Sequence, residues 1–353
     1  MKIIHTADIH LESKMNKLGT VKSKIRQSEV RDSFFNLIDY ANENDVKIIL
    51  ISGDLFDSKS VRLNTLRELL SKINSVPEID FIYLNGNHDD VNVFNQEKLG
   101  ELPVNLKLIF KEASFKYGDI NITAIDLSKY PKNEYINKLS LNPNDYNIVM
   151  LHGSLNEIPL TKLAGKHIDY LALGDIHIPD IKEIKLDTRG IYGYSGILEP
   201  RGFDELGERG FFLLEIKNKN LKRTFIKNNQ RTYHIIPVDI TGLNNYTLIN
   251  EEINKKIKEI PKDDIVRVLL KGKYDYETIK DINTLLINLE NKFFYAELND
   301  ESELDYTKIN FEKEVSLRGE FYRLVKSSDL SIKEMDKVLE YGLKALKGED
   351  LEL

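Results

Sequence analysis

Apolar residues run along this chain in two rhythms. Short, nearly unbroken runs at Lys2–Thr6, Val46–Ser52, Asp80–Leu84, Ile120–Ile125, Asn147–Leu151 and Tyr170–Leu173 read as strands. Between them, Ile25–Asn44 carries Val30, Phe34, Leu37, Ile38 and Ala41 at helical spacing, and Leu63–Ile73 is helical again. Strands apolar on both faces and separated by helices predict a layered α/β architecture with a covered sheet. From about Gly190 the pattern turns to strands with glycine punctuation, at Tyr192–Ser195, Gly210–Ile216, Leu221–Lys227 and Thr232–Val238. That predicts a mostly antiparallel continuation, as when a second sheet packs on the first. Asp239–Asn245 reads as a linker. Beyond it come a helix (Leu248–Ile260), a strand (Ile265–Leu270), a helix (Tyr276–Glu290), a strand (Phe293–Leu298) and two more helices, a smaller α+β domain. The expected division is therefore 1–238 and 239–353. Ser331 three residues before Glu334 marks the start of the last helix as a capping box, and Gly348 suits its left-handed end.

Composition narrows the function classes. A chain of 353 residues, 41% hydrophobic and 30% charged, is an ordinary globular protein and not a disordered one. No apolar run approaches the ~18–20 residues of a membrane span. Cysteine is absent, which excludes disulfides, thiolate metal sites and a cysteine nucleophile. A reducing cytoplasm fits that, and no charged-then-apolar leader follows Met1. The net charge of −7 argues against coating nucleic acid by bulk charge, so a phosphate-rich partner must be met locally. The candidate place is Ile216–Ile236, with six cations (Lys217, Lys219, Lys222, Arg223, Lys227, Arg231) and no acid. It reads equally as a solvated strand pair or as a phosphate-contacting surface.

The chemistry lies at strand ends. Of seven histidines, four fall just after a predicted strand and beside Asp, Asn or Gly: His10, His88, His152 and His177. The words are Asp8-Ile9-His10, Gly53-Asp54-Leu55-Phe56-Asp57, Gly86-Asn87-His88-Asp89, His152-Gly153 and Gly174-Asp175-Ile176-His177. Carboxyl ends of strands in an α/β sheet form one edge, where ligands bind, so five distant words should converge. Carboxylates, a carboxamide oxygen and imidazoles without thiolate suit manganese, iron, zinc or magnesium. Two such ions ~3.5–4 Å apart polarise a phosphate and activate water. Asp8 and His10, two apart on a segment taken as extended, should point to one side. Singly, Asp54 or Asp57 also reads as a turn or helix-cap residue. His5 is expected to pack inside the first strand, His167 to be a structural surface residue, and His234 receives no role.

The five words in this order resemble the calcineurin-like metallophosphoesterases. Within them, Ile4-His5-Thr6-Ala7-Asp8-Ile9-His10-Leu11, Tyr170–Gly174, Tyr194–Arg201 and Gly207–Phe211 look like the SbcD-type DNA repair exonucleases. The resemblance implies a four-layer α/β/β/α sandwich over residues 1 to about 238, followed by a smaller C-terminal α+β cap. It implies a first metal held by Asp8, His10, Asp54 and His177. Asp54 would bridge to a second metal held also by Asn87, His152 and Asp175, with His88 as the catalytic residue that assists the leaving oxygen. The family pattern has His where Asp175 stands, which leaves either a site of changed metal preference or an impaired one.

The leading expectation is a two-metal DNA nuclease, the nuclease subunit of an SbcCD-like complex. Its cofactor is two divalent ions, manganese first, with iron, zinc or magnesium as alternatives. Its partners are DNA, an SbcC/Rad50-like coiled-coil ATPase and a second copy of itself, with no membrane. Arg201, Lys217, Lys222, Arg223 and Lys227 are the candidate substrate-binding cations. Beside it stand a small-molecule phosphodiesterase or phosphatase on the same scaffold, and a catalytically impaired DNA-end-binding scaffold subunit.

Overall fold

The computed structural model describes all residues except 16–17, 59–60, 95–98, 132–133, 306–307 and 349–353. It divides into two compact units, Met1–Tyr233 and His234–Leu353. In chain order, the first unit carries β1 (Lys2–Thr6), α1 (Gly19–Glu43), β2 (Ile48–Ser52), α2 (Leu63–Asn74), β3 (Asp80–Leu84), β4 (Leu106–Ile109), β5 (Glu112–Tyr117) and β6 (Ile120–Ile125). It continues with α3 (Glu134–Lys138), β7 (Tyr146–His152), α4 (Leu160–Leu163), β8 (Tyr170–Gly174), β9 (Ile184–Lys185), β10 (Ile191–Tyr194), β11 (Gly210–Lys217) and β12 (Asn220–Lys227).

These strands form two six-stranded sheets, ordered β12-β11-β1-β2-β3-β4 and β5-β6-β7-β8-β10-β9. β1 to β4 run parallel, as do β6, β7, β8 and β10. The two sheets share one core: Ile3, Ile48, Leu50 and Ile82 meet Ile122, Ile148, Met150 and Ala172, each essentially unexposed. Burying such a side chain is worth ~1.5–3 kcal/mol, so this interface holds the sheets face to face. Alternate residues serve the outer faces. Val149, Leu151, Leu171 and Leu173 pack with Tyr135, Ile136 and Leu163 of α3 and α4. On the other side, α1 buries Phe34, Leu37 and Ile38, and its Tyr40 meets Phe211 of β11 edge-on at 5.3 Å. The result is the α/β/β/α sandwich.

The antiparallel continuation after Gly190 needs correction. β11 and β12 are antiparallel but extend the first sheet beside β1, while β10 joins the second sheet parallel to β8. The second sheet begins at Glu112, where β5 alternates between exposed and half-buried positions and lacks an apolar run.

The second unit holds β13 (Tyr233–Asp239), α5 (Tyr246–Lys256), β14 (Ile265–Lys271), β15 (Lys273–Tyr274), α6 (Ile282–Lys292), β16 (Tyr295–Asp300), β17 (Glu303–Leu304), α7 (Leu317–Lys326) and α8 (Ile332–Lys347). β13 belongs to the sheet β13-β14-β16. That is why the division falls at Tyr233 and not after Val238. Val238, Val268 and Leu270 pack with Ile249, Ile253, Leu285 and Leu289 from α5 and α6. α6 starts six residues later than its apolar pattern suggested, because Asp281 caps it by accepting the Thr284 N–H. Leu339 and Leu343 of α8 lie against Tyr322 and Val325 of α7. Ser331 and Glu334 form the capping box, and Gly348 is left-handed.

Candidate metal centre

Every word identified in the sequence lies at the carboxyl end of a strand of one of the two sheets. Asp8 and His10 follow β1, Asp54 follows β2, Asn87 and His88 follow β3, His152 ends β7, and Asp175 and His177 follow β8. Hydrogen bonds across the sheet ends fix their mutual position. The His152 Nδ1–H donates to the Ser52 carbonyl (2.8 Å), and the Asp175 N–H donates to both Asp8 carboxylate oxygens (3.1 Å each).

The local backbone is unusual for a reason. Asp8, His10 and Asp54 take left-handed φ values of 51°, 50° and 52°, and Asp175 takes 106°. Asp8 and His10 are therefore not on an extended segment. They are held instead by donating their N–H groups to the Gly53 and Asp54 carbonyls, both at 3.0 Å. Non-glycine residues in this region cost of order 1–3 kcal/mol each and persist only where the surroundings over-determine them. Two glycines make room. A Cβ on Gly53 would fall 2.1 Å from His152 Nδ1, and one on Gly174 would lie 1.9 Å from the Ser52 carbonyl oxygen.

The side chains converge. Nitrogen and oxygen atoms of Asp8, His10 and His177 lie within 4.8 Å of one another, as do those of Asp8, Asp54 and His152. Asp54 stands between the two groups: its Oδ2 is 3.8 Å from His10 Nε2 and 3.6 Å from His152 Nε2. Its Oδ1 accepts the His88 N–H at 2.9 Å. Asn87 Oδ1 is 3.0 Å from His152 Nε2, and Asp175 Oδ1 is 4.0 Å from it. The His88 ring sits edge-on to His10 with centroids 5.2 Å apart, and His88 is exposed.

Electrostatics agree with a cation site. Asp8 and Asp54 are buried, and neither pairs with Lys or Arg among the described residues. Burial, and then the charge of Asp54, push the Asp8 carboxyl well above the usual carboxylate range. Burial also raises Asp175 and lowers His10. Two like charges held together out of water ask for a multivalent counter-cation, and a hard oxygen and imidazole donor set suits one. The residues fit a pair of divalent ions.

Carboxylates stand beside the outer ring nitrogens of two of these histidines, as they do around metal-ligating imidazoles, with a hydrogen bond formed at His177 and only a close approach at His10. His177 Nδ1 lies 2.7 Å from Glu205 Oε1, and His10 Nδ1 lies 3.3 Å from Asp57 Oδ1. Burial raises Glu205, but its hydrogen bond to His177 and the Arg201 charge outweigh that and hold it at about 2. Glu205 was not singled out in the sequence: it is one acid in a glycine-rich loop, marked only by following Arg201 at four residues. Asp57 stood inside a quoted word without a ligand role. Asp89 clamps the two loops, accepting the N–H groups of Leu55 (3.1 Å), Phe56 (2.9 Å) and Gly86 (3.0 Å).

The remaining residues named from the sequence are cations and three further histidines. Arg201 pairs with Asp57 (3.0 Å) and Glu205 (3.1 Å). Arg223 stacks on Phe212 at 4.3 Å and donates to the Asp180 carbonyl. Lys217 is exposed, while Lys222 meets Glu215 (3.1 Å) and Lys227 meets Glu208 (3.2 Å) at the surface. His5 is buried, its Nδ1 2.8 Å from the Tyr170 hydroxyl. His167 is exposed, and His234 pairs with Asp264 at 2.8 Å. Among the described residues no helix is long and apolar enough to cross a membrane.

A family profile of calcineurin-like phosphoesterases matches residues 1–180. The chain is 25% identical over 299 residues to the uncharacterized metallophosphoesterase YhaO of Bacillus subtilis, covering 77% of this chain and 72% of that protein. It is 26% identical over 286 residues to the DNA double-strand break repair protein Mre11 of Methanosarcina acetivorans, covering 74% of this chain but only 44% of that protein. The Mre11 of Methanopyrus kandleri is 23% identical over 314 residues, covering 77% and 65%. Among solved structures, a dimetal phosphatase from Danio rerio superposes with a TM-score of 0.43 at 8% identity, over 65% of this chain and 96% of that one. The profile takes in just over half of the chain and includes all five convergent words, the last of them, Gly174–His177, near its end. The chain belongs to the calcineurin-like phosphoesterases, metal-dependent phosphoesterases that work through a dimetal centre.

Proposed function

We propose that this protein is a manganese-dependent DNA nuclease that works in repair as the nuclease subunit of an SbcCD-like complex. The observation that carries the reading is the convergence of Asp8, His10, Asp54, Asn87, His152, Asp175 and His177 around the bridging position of Asp54. Similarity to Mre11 proteins supports DNA as substrate.

Asp8, His10, Asp54 and His177 would hold the first ion, and Asp54, Asn87, His152 and Asp175 the second. When bound, the two ions polarise the phosphodiester, activate water and neutralise the charge that develops in in-line displacement. The protein's own groups do the rest. Ser52, through its carbonyl, keeps the His152 proton on Nδ1, so Nε2 presents its lone pair inward. His88 is exposed, anchored by its backbone N–H to Asp54, and its ring, edge-on to His10, is the group assigned to protonate the departing oxygen. Three oxygen donors and one imidazole around the second ion favour manganese or magnesium over zinc.

The exposed cations Lys217, Lys222 and Lys227 are the proposed contacts to the DNA backbone, since surface ion pairs are worth only ~0–1 kcal/mol and yield readily to phosphate. Arg201 and Arg223 are committed within the fold and drop out of this role. An SbcC/Rad50-like coiled-coil ATPase, pairing of two copies and a cytoplasmic location belong to the same reading.

End-labelled linear DNA tests it. Degradation with manganese exceeding that with magnesium, and lost in His88→Ala, is the expected result. A second reading is favoured by one observation: a cleft of about 490 Å³ opens beside Asn87, His152 and Asp175 and runs to Leu127 and Tyr130. That lies within the ~300–1,000 Å³ of small-molecule sites. Turnover of small phosphodiesters with DNA left intact would select the small-molecule phosphodiesterase.

A further inference from the structure

The three inward-facing histidines are held by two different devices. His152 donates its Nδ1–H to the Ser52 carbonyl, an atom of strand β2. His10 and His177 instead turn their Nδ1 atoms toward carboxylates, Asp57 at 3.3 Å and Glu205 at 2.7 Å. One guanidinium joins those carboxylates. Arg201 reaches Asp57 Oδ1 through Nη1 (3.0 Å) and Glu205 Oε1 through Nη2 (3.1 Å) and Nε (3.3 Å), and its backbone N–H donates to Glu205 Oε2 (2.6 Å). His177 Nδ1 has two neighbours, Glu205 Oε1 at 2.7 Å and Arg201 Nη2 at 3.1 Å; the carboxylate is the nearer, and a ring N–H there donates to it. The inner nitrogens of the pair, His10 Nε2 and His177 Nε2, are then 3.2 Å apart and aim at one point beside Asp8.

We propose that Arg201, acting through Asp57 and Glu205, is the positioning residue for one half of the metal centre, holding His10 and His177 in register, while the His152 half is held independently by the backbone. The proposal rests on the reading of these groups as a two-ion centre. A planar fork is required, because its arms must reach two carboxylates at once; a lysine ammonium is a single point charge and reaches one. Losing such an outer partner typically weakens metal binding 10–100-fold. Here the loss should fall on one ion only.

The test is a calorimetric titration of the full chain with manganese, alongside melting of the metal-free protein. Wild type should take up two ions. Arg201→Lys and Glu205→Ala should each weaken one ion by ~10–100-fold and leave the other near its wild-type affinity. Glu205→Gln, which keeps an accepting oxygen for the His177 Nδ1–H, should recover much of the loss. The metal-free melting temperature of Arg201→Lys should stay close to wild type, which a purely structural role would not give. Equal weakening of both ions, or two undisturbed ions in Arg201→Lys, overturns the proposal while leaving the two-ion centre standing. Fewer than two ions in wild type overturns both.

Discussion

The two units of this chain treat backbone and polar atoms differently. In the first, Asp8, His10, Glu12, Asp54 and Asp175 are left-handed around the strand ends, Asp45, His167, Asn218 and Lys219 are so in turns and loops elsewhere, and the carboxylates of Asp8, Asp54 and Asp89 are buried. In the second, Asp281 at a helix cap is the one described non-glycine residue with positive φ, and the buried polar residues are Asp264 and Thr278. The second unit is an ordinary α+β fold whose local choices agree with one another. The first departs from those choices at strand ends, where the departures gather carboxylate and imidazole atoms that could hold a metal ion. Left-handed backbone coinciding with buried like charge, as at Asp8 and Asp54, is what a site built for chemistry looks like.

The sharpest break of that contrast is Asp54→Ala. Because Asp54 faces both groups of donors, its loss should lower turnover of a chromogenic phosphodiester by more than the ~10–100-fold typical of outer partners. A smaller effect in steady-state kinetics would mean that the two groups do not act together. Next is a pair of glycines. Gly174→Ala places a Cβ 1.9 Å from the Ser52 carbonyl oxygen and 2.8 Å from the His152 ring, and overpacking of this kind costs ~1–3 kcal/mol or more. Gly348→Ala meets open space at φ +74° and should cost only ~1 kcal/mol, the penalty of a left-handed side chain. Urea unfolding of both variants should show the larger loss for Gly174→Ala; the reverse order would erase the distinction between the units.

Acid sensitivity follows from His5. Burial, against a raising hydrogen bond to the Leu173 carbonyl, lowers its pKa to about 3. The unfolded chain takes up a proton below its ordinary value near 6.5 while the folded one refuses it until about 3. Stability from this group is thus complete above pH ~6.5 and falls as the pH drops toward 3, by ~1.4 kcal/mol per unit. Between pH 6.5 and 5 that is about 2 kcal/mol. His5→Gln should flatten this part of the unfolding free-energy profile, and an unchanged acid slope would show that His5 is not the group responsible.

Much of this was legible in the sequence because the same residues announce strand and site together. An apolar run ending in Gly-Asp or Gly-Asn-His fixes both where β2 and β3 stop and which edge they serve. What stayed hidden depends on register. Lys222 looked like a free cation, yet the ladder sets it directly opposite Glu215. Arg201 looked like a phosphate contact, yet it pairs with Glu205 in its own loop and with Asp57 from the distant loop after β2, a meeting made only in the folded chain. Short or alternating strands such as β5 and β9 carry too little apolar pattern to be seen. The left-handed turns at Asp8 and His10 are set by hydrogen bonds to Gly53 and Asp54, which no local rule foresees.

Anomalous diffraction from crystals grown with manganese tests the account most directly. Two peaks ~3.5–4 Å apart, flanking the Asp54 carboxylate with Asp8, His10 and His177 on one side and Asn87, His152 and Asp175 on the other, are the expected result. A single peak, or peaks away from Asp54, would contradict it.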